Sequence, residues 1–268
     1  MASGVPPEQR ALAWRTLCAV PACTAQHVLD YRRLVLRAAA ERDAATAAAA
    51  APQTHDQIRK DLARTFPQHP VFADRRALPA LQRVLHAYAQ HDTNAHPDAP
   101  LGYTQGMNYV AALLLVYMDE VDAYRTFVAL MSNVGRVNDG DMRVALRDMF
   151  VTGFPGLVEN VYIHVALLRT ALPTVYTHFR RLGVHPSMYC TSWFMTLFTN
   201  ALQPHVAAHV LDNVLAYGGW PMVHATALAM LQLTEAMFAQ CTQLEHVMQH
   251  FFDFDEVFAR PAQLIAAA

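Results

Sequence analysis

Residues 103–118 read Tyr103-Thr104-Gln105-Gly106-Met107-Asn108 and then Tyr109-Val110-Ala111-Ala112-Leu113-Leu114-Leu115-Val116-Tyr117-Met118. The second part is the longest apolar run of the chain, and its ten residues fall well short of the roughly 20 that a bilayer crossing needs. A run of that length with no glycine or proline reads as a helix buried on all sides. The polar hexapeptide ahead of it therefore sits at the mouth of a buried helix, and Gly102 and Gly106 leave room there for close approach.

Outward from this stretch, apolar positions recur at helical spacing almost everywhere. A first helix starts after Pro6-Pro7 and ends near Val20-Pro21. The pattern predicts further helices over 25–42, 55–65, 77–91, 105–118, 120–132, 139–150, 154–170, 172–182, 188–201, 204–217, 221–238, 242–250 and 253–258. Breaks fall at Pro67-x-x-Pro70, His96-Pro97-x-x-Pro100, Gly153-x-Pro155, His185-Pro186 and Gly218-Gly219. No alternating strand pattern competes, so the expected fold class is all-α, a multi-helix domain over 4–258 made of two helical lobes. The seam is expected near 151–156, giving lobes 4–153 and 154–258. Residues 38–54 form an alanine-rich tract, either a helix extension or a mobile insertion.

Composition narrows the chemistry. At 268 residues, 54% hydrophobic and 16% charged, the chain has ample material for a large core. A net charge of -2 and scattered arginines argue against nucleic acid as a partner. Cys18, Cys23, Cys190 and Cys241 include no C-x-x-C pair, which suits a reducing, intracellular setting. The N-terminus lacks secretory layout, and no segment is long enough to span a membrane. Among the fourteen histidines, His205-x-x-x-His209 and His246-x-x-x-His250 have zinc-like spacing. Val206 and Val247 stand where a metalloprotease has its glutamate, and no third ligand is evident, so no metal is expected. There is no G-x-S-x-G elbow, and no G-x-x-x-x-G-K-[ST] loop; Lys60, the only lysine, follows no glycine-rich turn. The chain should hold no nucleotide or other cofactor of its own.

Two motifs remain. In Ile58-x-x-Asp61-x-x-Arg64-Thr65, Ile58, Asp61 and Thr65 share one helical stripe, and Asp61 is a neighbour of Arg64 at i, i+3. Phe66-Pro67 ends the helix, which puts Arg64 in a final turn, where its planar fork of donors can reach phosphate oxygens. Taken alone, such a pair is an ordinary surface ion pair. In Tyr103-x-Gln105-Gly106, the Gln105 amide can accept from a water while donating to a phosphate oxygen. Taken alone, it can equally cap the helix.

These motifs, with Arg10-x-x-x-Trp14 ahead of them, are in order and content similar to the three signatures of the TBC domain family of GTPase-activating proteins for Rab small GTPases. Arg64-Thr65-Phe66-Pro67, Gly106-Met107-Asn108, Trp193-Phe194-Met195-Thr196-Leu197-Phe198 and the Asp212 segment ending at Gly218 add to the resemblance, which covers roughly residues 4–258. It implies an all-helical fold and a dual-finger mechanism in which Arg64 and Gln105 are supplied in trans to a GTP-bound Rab. GTP and Mg2+ would then belong to the partner. Arg64 would neutralise charge developing on the γ-phosphate and Gln105 would orient the attacking water. Asp61 would hold Arg64, Thr65 and Tyr103 would brace the two loops, Gly106 would admit the switch region, and Asn108 would lie near the interface. Arg10, Trp14 and Ile58 would be structural. The resemblance also implies vesicle trafficking as the setting, in the cytoplasm at the surface of intracellular membranes. Two departures stand out: Leu211 precedes Asp212 where the family usually has tryptophan, and the 38–54 tract is unlike the usual sequence. The alternative is a catalytically silent module that docks Rabs without accelerating hydrolysis.

Overall fold

The computed structural model describes residues 4–47, 53–73, 76–132 and 145–258, together with Leu264 and Ala267. Every regular element among them is helical. The α-helices are α1 (Arg10–Leu17), α2 (Ala25–Ala47), α3 (Gln53–Leu62), α4 (Pro70–Ala73), α5 (Leu78–Ala95), α6 (Met107–Tyr117), α7 (Glu120–Ser132), α8 (Pro155–Ala171), α9 (Pro173–Leu182), α10 (Ser187–Thr196), α11 (Pro204–Ala216), α12 (Trp220–Leu233), α13 (Glu235–Phe238), α14 (Leu244–Phe252) and α15 (Phe254–Val257). Short 3-10 turns occupy Pro7–Gln9 and Leu146–Met149. No helix among the described residues is long and apolar enough to cross a membrane.

The chain divides into two compact units between Arg136 and Val137, and the N-terminal residues up to Val5 join the second. The seam expected at 151–156 thus lies inside that second unit. The reason is burial: Leu146, Met149 and Phe150 are buried, and their 3-10 turn packs against α8 and α10.

The first unit is organised around α5, which packs against α2, α3, α6 and α7. Leu81, Val84, Leu85 and Tyr88 recur at i, i+3, i+4 and i+7, and all are buried. Each contributes about 1.5–3 kcal/mol of transfer free energy. Within α6, every residue from Met107 to Leu114 except Tyr109 is buried. Its far end is held by the first signature. Arg10, itself buried, lies 4.9 Å above the Tyr117 ring, and Trp14 meets that ring edge-on at 5.2 Å.

The second unit contains a continuous aromatic cluster. Phe179, Tyr189, Trp193, Phe238, Phe251 and Phe254 touch at ring separations from 4.6 to 6.2 Å. The Val5 N–H donates to the buried Asp212 carboxylate at 3.3 Å, and Leu211 beside it is buried as well, so a leucine fills that place.

Several boundaries depart from the periodicity. The expected 188–201 helix stops at Thr196, because Leu197 (φ 48°) and Phe198 (φ 64°) adopt left-handed backbone, fully buried. The 221–238 helix is interrupted at Thr234, whose hydroxyl donates back to the Met230 carbonyl at 2.6 Å. The 25–42 helix runs on to Ala47, so residues 38–47 of the alanine-rich tract extend α2, while Gln53 and Thr54 begin α3; 48–52 lie outside the described residues. The first half of the expected 139–150 helix, 139–144, also lies outside them, and the described half contains the 3-10 turn at Leu146–Met149.

Candidate functional site

Helix α3 ends at Leu62, two residues before Arg64, so Arg64 stands in a turn beyond the helix and not within its last turn. The chain tightens here: the N–H groups of Arg64 and Thr65 donate to the carbonyls three residues back, at 3.2 and 3.3 Å, and the Thr65 hydroxyl donates to Asp61 O at 2.7 Å. Phe66 then takes positive φ (43°), consistent with the bar that Pro67 places on right-handed helical backbone before it. A non-glycine residue in that region is strained, and packing holds it: the buried Phe66 ring meets Phe72 and Tyr109 edge-on at 6.0 and 5.8 Å.

Inside this turn the stripe behaves as its spacing predicts. Ile58, Asp61 and Thr65 are all buried. Asp61, only 1% exposed, is a carboxylate in the core, which is tolerable only if its oxygens are satisfied. Arg64 Nη2 lies 2.6 Å from Oδ1, the Tyr103 hydroxyl donates to Oδ2 at 2.6 Å, and Gln57 Nε2 lies 3.2 Å from both oxygens. The Arg64 side chain remains 45% exposed. One corner of the guanidinium is thus fixed by a buried anion while much of the side chain faces solvent.

Besides Tyr103, the second motif meets the first through Asn108. Its Nδ2 donates to Thr65 Oγ1 at 2.8 Å, while its Oδ1 accepts from the Gly106 N–H at 3.0 Å and from the Tyr103 hydroxyl at 3.3 Å. Asp61, Thr65, Asn108 and Tyr103 therefore close a buried polar ring between α3 and the start of α6. Arg64 and Gln105 each sit one residue from a member of it or from its Gly106 branch. Gly106 precedes α6 with φ 109° and ψ -34°, a conformation that glycine alone adopts without strain. Helix α6 begins at Met107, so Gln105 occupies the turn ahead of it. It is exposed and makes no side-chain hydrogen bond among the described residues.

Burial, followed by the hydrogen bond to Asp61, pushes the Tyr103 phenol far up, so it is a donor at any working pH. Burial also raises Tyr109, with the positive charge of Arg64 acting the other way. The site is thus a fixed cation and a carboxamide, both exposed, on a buried base in which the Asp61 carboxylate is held by Arg64, Tyr103 and Gln57. Such a base holds no group of three or more His, Cys, Asp or Glu that could bind a metal among the described residues.

Of the positions singled out by sequence, Asp61, Arg64, Thr65, Tyr103, Gln105, Gly106 and Asn108 come together here. Ile58 anchors α3 beneath them, and Arg10 with Trp14 acts at the other end of α6. Asn108 is wholly buried, so its role is to join the two motifs and not to meet a partner at the surface. Sequence reasoning missed Gln57, one turn before Asp61 on the same face, a neighbour that i, i+4 spacing could have flagged. It also missed Asp92, which holds the loop leading to Gln105.

Comparison with known proteins gives a consistent picture. The family model described as the Rab-GTPase-TBC domain matches residues 7–239. The human ecotropic viral integration site 5 protein homolog is 29% identical over 272 residues, covering 99% of this chain and 29% of that protein. The Rab GTPase-activating protein eat-17 of Caenorhabditis elegans is 31% identical across 65% of this chain and 18% of its own length. The GTPase-activating protein GYP5 of Eremothecium gossypii is 33% identical across 68% of this chain and 20% of its own. The chain thus spans less than a third of the length of these curated relatives. Two solved structures share the fold. The Chlamydomonas flagellar RabGAP TBC domain has a TM-score of 0.75 at 23% identity, covering 98% of this chain and 80% of that one. The Ypt/Rab-GAP domain of Gyp1p has a TM-score of 0.76 at 16% identity, covering 98% and 88%.

Proposed function

The chain belongs to the Rab-GTPase-TBC domain family, and from that premise we propose that it is a GTPase-activating domain that completes the active site of a GTP-bound Rab. The observation that carries the reading is the mounting of two exposed polar side chains, Arg64 and Gln105, on one buried hydrogen-bonded ring. Phosphoryl transfer requires little from a protein beyond positioning and charge stabilisation. Arg64 supplies a planar, permanent cation to the γ-phosphate and leaving oxygen. The Gln105 amide oxygen accepts a hydrogen bond from the attacking water and its NH2 donates to a phosphate oxygen, which lines the water up. GTP and Mg2+ arrive on the Rab, so the chain needs no cofactor, and it acts in the cytoplasm at membranes that carry its partner.

The ring explains why both fingers persist as a pair. Thr65 and Asn108 lock the two turns together, so the spacing of the fingers is set by the fold before any partner docks. The test is γ-phosphate release from a panel of GTP-loaded Rabs with catalytic amounts of the chain. At least one Rab should be accelerated by about 10³-fold or more, the range of arginine-finger activation. Tight binding to GTP-loaded Rabs with no acceleration of any would instead make it a docking module.

A further inference from the structure

We infer that Asp92 is a positioning residue for Gln105, an assignment that rests on the finger reading above. Helix α5 ends at Ala95, and the chain runs without regular structure from His96 to Thr104 before reaching Gln105. Asp92 closes this excursion from both sides. Its carbonyl accepts the His96 N–H at 2.8 Å, ending the helix. Its carboxylate, 2% exposed, accepts the N–H groups of Leu101 at 2.5 Å and Gly102 at 3.1 Å with the same oxygen. Residues 93–100 between these points are all exposed.

The consequence concerns the four residues that carry the glutamine. Gly102 has φ 65°, and a side-chain carbon there would meet nothing within 4 Å, so no side-chain packing holds it. The carboxylate of Asp92 supplies the restraint that the missing side chain does not. Beyond it, the Tyr103 hydroxyl is held by Asp61 and the Gly106 N–H by Asn108. Gln105 is thus flanked by held backbone groups, the Gly102 N–H on Asp92, Thr104, whose N–H donates to Met107 Sδ at 3.4 Å and whose carbonyl accepts the Met107 N–H at 3.3 Å, and the Gly106 N–H on Asn108, and α5 provides the first of these pins. A charged acceptor is the strongest available for two amide donors, and burial keeps water from replacing it. Loss of that pin leaves the glutamine attached but spread over several orientations, which lowers the fraction of docked complexes aligned for attack.

The experiment measures kcat and KM for GTP hydrolysis by the Rab most responsive to the wild-type chain. Asp92→Ala should lower kcat by about 10- to 100-fold, the scale of an ångström-level misplacement, with KM changed less than about threefold. In a Gln105→Ala background the same substitution should have no further effect, because the group it positions is gone. Asp92→Asn, whose amide oxygen still accepts both N–H groups, should return kcat to within about threefold. An unchanged kcat in Asp92→Ala, or an equal loss with and without Gln105, overturns the assignment. If Asp92→Ala shows no cooperative melting, Asp92→Glu, which keeps the charge and displaces the acceptor by one methylene, carries the same expectation and the same grounds for rejection. Gln105→Ala alone reads the finger: wild-type turnover there overturns the finger reading and this assignment with it, whereas a loss there beside a neutral Asp92→Ala overturns only the latter.

Discussion

The Asn108 side chain donates to the Thr65 hydroxyl at 2.8 Å across a sequence separation of 43, and with the bond from the Tyr103 hydroxyl to Asp61 at 2.6 Å it makes the two motif turns a single piece. Thr65 passes the restraint to the Asp61 carbonyl, and the other face of the Asn108 amide holds Gly106 and Tyr103. Both polar atoms of this amide are hydrogen-bonded, and the side chain is fully buried. A buried network of this kind is stabilising only while complete, and each member removed leaves partners unsatisfied.

Asn108→Ala should therefore destabilise the chain by about 2–3 kcal/mol, since it strands the Gly106 N–H and leaves a cavity. Urea denaturation followed by circular dichroism measures this. A change under about 0.5 kcal/mol would mean that the ring carries no stability.

Gly106→Ala places an L-residue at φ 109°, a region that costs about 1–3 kcal/mol. The same urea experiment should show that loss. A neutral result would mean that the turn ahead of α6 relaxes freely, which the hydrogen bond from the Gly106 N–H to Asn108 argues against.

In the second unit, His164 and His224 are buried with rings stacked at 5.9 Å, and burial lowers them to about 3 and about 4. His164 is lowered further by the neighbouring imidazole. Their other contacts, Asn160, Tyr189 and Phe194, are neutral. Because the folded values lie below the unfolded one, the unfolded chain binds the extra protons. Stability is full above about pH 6.5 and falls as pH drops toward 4, by up to roughly 2.7 kcal/mol per pH unit for the two together. Melting temperature measured from pH 7 to pH 4.5 should show this decline, and His164→Gln should flatten it. An unchanged slope in that variant would assign the acid sensitivity elsewhere.

Of the four cysteines, Cys18, Cys190 and Cys241 are buried and Cys23 is exposed. Burial pushes the Cys18 thiol up to about 12 and raises Cys190 and Cys241. Alkylation at pH 7.5 should label Cys23 alone in the folded protein and all four in denaturant. Fast labelling of Cys190 would contradict the packing of α10.

Much of this architecture is legible in the sequence because it is local. Helix α7 begins and ends where apolar spacing puts it, and the stripe of Ile58, Asp61 and Thr65 follows from helical geometry alone. What escaped was non-local or unsignalled. The left-handed Leu197 and Phe198 carry no glycine or proline to mark the end of α10; burial imposes their conformation. Asp92 escaped because its ligands are backbone N–H groups of a loop, which leave no pattern of residue types. Histidines separated by four residues drew attention at 205 and 209, whereas His164 with His224 and His55 with His86, which do stack, are each brought together by packing between different helices. Residues that share a role can be read from spacing, but residues that share a place in the fold require the fold.

The central claim is that Arg64 and Gln105 act on another protein's phosphate, and stimulated γ-phosphate release from a responsive GTP-loaded Rab tests it most directly. Arg64→Ala leaves the buried Asp61 carboxylate without its cation, so Arg64→Lys, which keeps the charge and loses the planar fork, is measured beside it. Arg64→Ala should reduce the stimulated rate by about 10³-fold, and Arg64→Lys and Gln105→Ala each by about 10²-fold, with binding to the GTP-loaded Rab retained. Wild-type rates in Arg64→Lys and Gln105→Ala would contradict the account.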